Sequence, residues 1–110
     1  MTALMVALGA ALGAPLRYAL AHTLDGRWPS GTLLVNSLGS LLIGFFASLA
    51  LDDQAWALLA TGFCGGLTSF SAFAVQSVER GPRLGAAYAV ATLVLALSTC
   101  ALGFALGTRL

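Results

Sequence analysis

Thr61-Gly62-Phe63-Cys64-Gly65-Gly66-Leu67-Thr68-Ser69-Phe70-Ser71-Ala72-Phe73 is the stretch on which the fold turns. It lies inside a long apolar run, yet Gly65-Gly66 followed by hydroxyl residues is poor helix material. A helix interrupted there releases backbone carbonyls and N–H groups. In lipid such groups survive only when buried in protein or lining a cavity, where they commonly bind ions. The competing reading is a continuous glycine-rich helix that packs closely on its neighbours. Phe70 and Phe73 fall on one face just past the glycines. Aromatic rings carry a positive edge that can attract a small anion, although packing and lipid contact are the commoner uses of such a pair.

Working outward, the 110-residue chain is 59% apolar and only 8% charged, against about a quarter charged in an ordinary soluble domain. A water-soluble fold this short cannot hide so much apolar surface, which points to a lipid bilayer as the solvent. Roughly 20 helical residues cross the hydrocarbon core, and four stretches qualify, at about 2–21, 31–51, 55–78 and 84–106. The expected fold is therefore an all-α integral membrane protein with a single domain over 1–110 and a break in the third helix. The polar links Asp25-Gly26-Arg27-Trp28-Pro29, Asp52-Asp53 and Glu79-Arg80-Gly81-Pro82-Arg83 hold nearly all the charge. Trp28 and Trp56 fall at span ends, where indole favours the interface. No basic residue precedes the first apolar run, so that run reads as a retained span and not a cleaved leader.

Several functions are excluded or disfavoured. The net charge is +1 and the five basic residues are scattered arginines, which argues against a nucleic-acid partner. Cys64, Cys100 and His22 have no metal-ligand spacing, and no nucleophile stands beside a base, so the chain does not read as an enzyme. A small multidrug transporter is also about this length with four helices. Its proton exchange needs a carboxylate within the membrane, whereas Asp25, Asp52, Asp53 and Glu79 lie in loops or at span ends. A structural subunit without transport explains the glycines, but not the polar groups of the second and third spans together.

Those polar groups are costly in lipid and therefore informative. Thr32, Asn36 and Ser40 recur every four residues on one face, and the Asn36 amide must find partners near mid-membrane, either as interhelical glue or as part of a polar path. Tyr88, Thr92 and Thr99 fall within about 40° of each other on the fourth span, a stripe that can replace water around an ion or simply satisfy its own backbone. Gly9-x-x-x-Gly13 and Gly103-x-x-x-Gly107 suit close helix approach. Arg17 has three uses open to it: pairing with helix-end carbonyls, reaching the interface, or drawing anions to an entrance. So few helices enclose little interior, so a dimer is expected. The arginine bias between the two sides is modest.

The motifs Gly9-x-x-x-Gly13-Ala14-x-x-Arg17-Tyr18, Pro29-Ser30-Gly31-Thr32-Leu33-x-Val35-Asn36-x-x-Gly39-Ser40 and Gly62-x-x-Gly65-Gly66-x-Thr68-x-Phe70-Ser71-x-Phe73 together resemble the Fluc fluoride channels, also called CrcB proteins. The resemblance implies a multi-pass protein of the cell membrane that exports fluoride passively and assembles as an antiparallel homodimer, a pair of different subunits being the alternative. It implies two fluoride pathways lined by counterparts of Asn36, Phe70, Phe73, Ser71, Tyr88 and Thr92. It also implies a structural, untransported sodium ion (Na+) at the dimer axis, held by the backbone carbonyls of Gly65 and Thr68. Ser69 stands where the family usually has Thr, Ala72 where a hydroxyl is frequent, and Ala74 and Gln76 where Ser and Glu are common. The Gln76 change removes the usual charge near an entrance.

Overall fold

The computed structural model describes residues 1–25 and 30–110. Trp28, expected at a span end, and Arg27 of the same polar link lie outside the described residues. All regular structure among the described residues is helical: α1 (Thr2–Leu24), α2 (Ser30–Ser48), α3 (Asp53–Trp56), a π-helical segment (Ala57–Cys64), α4 (Gly65–Leu67), α5 (Phe70–Glu79) and α6 (Gly81–Thr108). Four units are long and apolar enough to cross a membrane, namely Thr2–Leu24, Ser30–Ser48, Asp53–Glu79 and Gly81–Thr108. The longest dimension, 42 Å, matches a bilayer of about 40–45 Å including its headgroups. The chain is a multi-pass membrane protein.

The helices pair as α2 with α6, and α1 with the π-helical segment. Glycine makes both seams possible. A Cβ on Gly9 would run into the Leu58 carbonyl, and one on Gly13 into the Phe63 carbonyl; across the other seam, Gly103 meets the Leu41 carbonyl and Gly44 the Cys100 carbonyl. Small residues thus bring backbones together where lipid offers no hydrophobic drive for association. The interior is small, comprising Val35, Ala57, Ala60, Cys64, Leu67 and Tyr88. Most of the apolar surface of α1 and α6 faces outward.

The third span is built in pieces. In its first half the helix is widened, and the Gly65 N–H reaches back five residues to the Ala60 carbonyl. Such wide turns are rare and occur mostly as local bulges. Here they coincide with the point where Gly62 meets the Val6 carbonyl of α1. Gly65 and Gly66 are helical. The backbone leaves helical geometry further on, at Thr68 (φ −89°, ψ 161°) and Ser69 (φ −149°, ψ 110°). The interruption therefore sits about three residues beyond the glycine pair on which the sequence placed it. A helix tolerates glycine when its outer surface needs no side chain, and a restart needs a cap. Ser69 provides the cap, with its Oγ accepting the Ala72 N–H at 3.0 Å, the usual role of serine at a helix start.

Candidate functional site

Asn36 reaches from α2 across to this interruption. Its Oδ1 accepts the Ser69 N–H at 2.8 Å, and its Nδ2 donates to the Ser69 carbonyl at 3.3 Å. Both groups are buried, with Asn36 and Ser69 each 9% exposed. The side-chain amide thus satisfies the Ser69 N–H, which has left the helical ladder, and shares the Ser69 carbonyl with the Phe73 N–H at 3.3 Å, which resolves the accounting that lipid imposes. A second Nδ2 hydrogen remains.

The same contacts decide which carbonyls are released. In a continuous helix the Ser69 N–H would bond the Gly65 carbonyl, and the Ala72 N–H the Thr68 carbonyl. Here the first goes to Asn36 and the second to Ser69 Oγ. Gly65 and Thr68, the two residues singled out for a cation, each lose the amide that would otherwise cover their oxygen. Uncharged carbonyl oxygens suit a hard monovalent cation, so these residues fit a sodium ion. Among the described residues no cluster of three His, Cys, Asp or Glu offers a transition-metal site.

Two clefts open beside the interruption and share Ser69. The first, about 300 Å³, is lined by Asn36, Ser40, Thr68, Phe70, Phe73 and Thr92, among others. The Phe70 and Phe73 ring centroids are 5.9 Å apart. Phe70 is 79% exposed, whereas Phe73 is half-buried against Tyr88, at 5.6 Å between centroids. Thr92 is 5% exposed, and its buried hydroxyl oxygen has no hydrogen-bond partner among the described residues. The second cleft is lined by Arg17, Ser69, Ser71, Gln76 and Glu79. Arg17 therefore stands over a polar recess next to the first cleft.

Of the six expected pathway residues, four (Asn36, Phe70, Phe73 and Thr92) share one cleft. Ser71 opens onto the Arg17 cleft instead, and its Oγ lies 3.3 Å from Ser69 Oγ. Tyr88 is fully buried behind Phe73. Other members of the polar stripes are occupied. Ser40 donates to its own helix at the Asn36 carbonyl, and Thr99 donates across to the Ser37 carbonyl of α2. Sequence reasoning missed Ser69 as the hinge of the site. It also left Asp25 among the loop charges, whereas the structure turns its carboxylate onto Thr32 and Gln76. No local signal marks that contact, because it joins residues 51 positions apart.

Fold and site together define a small four-span membrane protein whose interrupted third helix borders polar clefts. The chain belongs to the CrcB family: the family model described as "CrcB-like protein, Camphor Resistance (CrcB)" matches residues 4–104. Among curated relatives it is 45% identical to fluoride-specific ion channel FluC 2 of Rhodococcus jostii, over 96% of this chain and 98% of that protein. It is 41% identical to fluoride-specific ion channel FluC 1 of Listeria monocytogenes, over 94% and 95%. A third, fluoride-specific ion channel FluC 2 of Natronomonas pharaonis, is 45% identical over 100% and 97%.

Proposed function

We propose that the chain is a passive, fluoride-selective channel that lets fluoride leave the cell. The observation that carries this reading is the Asn36 clamp on Ser69, which holds a helix interruption beside a cleft edged by two phenyl rings and the unpartnered Thr92 hydroxyl. Fluoride is small and strongly hydrated, so a path must return hydrogen bonds as water is stripped. Amide N–H, hydroxyl and ring-edge hydrogens all serve, and weak successive contacts let the ion leave again. Ser69 and Ser71 extend the polar lining from the Thr92 side to the Arg17 cleft, where the guanidinium raises the local anion concentration.

In this reading the chain works as an antiparallel homodimer. One copy buries few side chains, and much of α1, α6 and Phe70 is exposed. A partner copy covers these faces and completes two pathways. The Gly65 and Thr68 carbonyls, two from each copy, hold a structural sodium ion, whose charge offsets part of the cost of an anion in low dielectric. Asp25 does not revive proton exchange. It sits at the end of α1, and its carboxylate is already engaged by Thr32 and Gln76.

Purified protein in fluoride-loaded liposomes tests the proposal. A fluoride electrode should record rapid passive release, with chloride retained under the same gradient. Release no faster than from empty liposomes overturns the reading.

A further inference from the structure

The helix that carries Phe70, Phe73 and Gln76, α5, has no buried residue within one copy. Packing there holds it weakly, so its rotation depends on polar anchors. The Asn36 clamp fixes its start at Ser69. A second anchor lies further along, at the end of α1. Asp25 Oδ1 accepts the Thr32 N–H at 3.0 Å, and its Oδ2 accepts the Thr32 hydroxyl at 2.9 Å. That N–H belongs to the first turn of α2, where a helix offers it no acceptor and where a negative charge is favoured. The same Oδ2 accepts Gln76 Nε2 at 3.1 Å. One carboxylate therefore joins the end of α1, the start of α2 and the middle of α5. Phe73 and Gln76 share a face of α5, so the bond that orients Gln76 also sets where the Phe73 ring points.

We propose that Asp25 supplies the carboxylate missing from position 76, where Glu is common among the channels this chain resembles, and that the acid–amide pair so formed is the second anchor of α5. The charge is not lost from this end of the path. It stands one hydrogen bond away, on α1. Asp25 lines neither cleft, so it acts as a positioning residue and does not touch the ion. What the junction needs is one acid and one amide, in either order. With Asp25→Asn and Gln76→Glu together, the new amide's carbonyl accepts the Thr32 N–H, and its NH2 group donates to the Thr32 oxygen and to the new carboxylate. The effect on conduction rests on the fluoride reading, whereas the coupling of the two residues is a property of the folded chain.

The test is a double-variant cycle, read as melting temperature in detergent and as fluoride release from liposomes, both in alkaline buffer. Asp25→Asn leaves two amides where a charge-assisted bond stood, and release should fall by about threefold or more, with a lower melting temperature. Gln76→Glu in the parent chain sets two carboxylates against each other and should lower both readouts as well. Introduced into Asp25→Asn, the same Gln76→Glu change should instead raise both, bringing release to within about twofold of the parent. Arg17 and Glu79, which share a cleft with Gln76, are present in all four proteins and cancel in the comparison. Two separate structural roles would give losses that add, and added losses overturn the proposal. A double variant that folds where Asp25→Asn does not supports it; failure of both to fold overturns it. A reversal in melting temperature with equal release from all four proteins overturns the role in the path. If the parent chain itself releases no fluoride, the channel reading fails, while the melting temperatures still decide whether Asp25 and Gln76 form one anchor.

Discussion

Replacing Asn36 with Leu removes the clamp on Ser69 while keeping the number and branching of the side-chain heavy atoms. Two outcomes then compete. If the interruption persists, the Ser69 N–H stays buried without its partner, at a cost of about 1–3 kcal/mol, while the Ser69 carbonyl keeps the Phe73 N–H. If the third helix closes instead, the Ser69 N–H returns to the Gly65 carbonyl and the cost largely vanishes, so closure wins. Thr68 and Ser69 are both extended, and each then goes from a rise of about 3.3 Å to about 1.5 Å. The span shortens by up to about 4 Å and α5 rotates. That motion carries Phe70 and Phe73 away from the Asn36 face and breaks the 5.6 Å packing of Phe73 on Tyr88. Spin labels at positions 53 and 79, both exposed at the ends of the span, placed in a cysteine-free background, measure the change by pulsed dipolar spectroscopy. The expected result is a shorter label distance by about 3–4 Å together with fluoride release at the liposome background. An unchanged distance with unchanged release would refute the idea that Asn36 holds the interruption open.

Phe70→Ile should reduce fluoride release sharply, because the ring edges the cleft, and within one copy the 79% exposed ring has little packing to lose. Phe73→Ile should reduce release as well, but also lower the melting temperature, since that ring packs on the buried Tyr88; equal stabilities in the two variants would contradict the packing. Gly103→Leu drives a side chain into the Leu41 carbonyl and should cost about 1–3 kcal/mol or more, seen as loss of monodisperse protein in gel filtration. Exchanging sodium for a large organic cation should lower thermal stability, by about 2.7 kcal/mol where sodium had stood at a hundredfold its dissociation constant. No dependence on the cation would remove the Gly65 and Thr68 carbonyls from that role.

Membrane residence, four spans and the importance of the third were legible from the chain alone. Hydropathy is additive along the sequence, so a run of apolar residues commits to lipid whatever it packs against. The glycines at 9, 13 and 103 announced close approach in the same local way, since small size is a property of the residue. Tertiary structure decided the rest. Gly65-Gly66 looks like the weak point of the third span, yet the helix runs through it and parts at Thr68 and Ser69. The partner able to take over the Ser69 N–H, Asn36, lies 33 residues earlier, and its reach depends on how α2 is rotated. Asp25 reads as a loop charge until the end of α1 is set against α2 and α5, where Thr32 and Gln76 engage it. Hydrogen-bond partners across helices depend on rotation and register, which in lipid follow from fractions of an ångström of backbone clearance at a few glycines, and no window of local sequence contains that information.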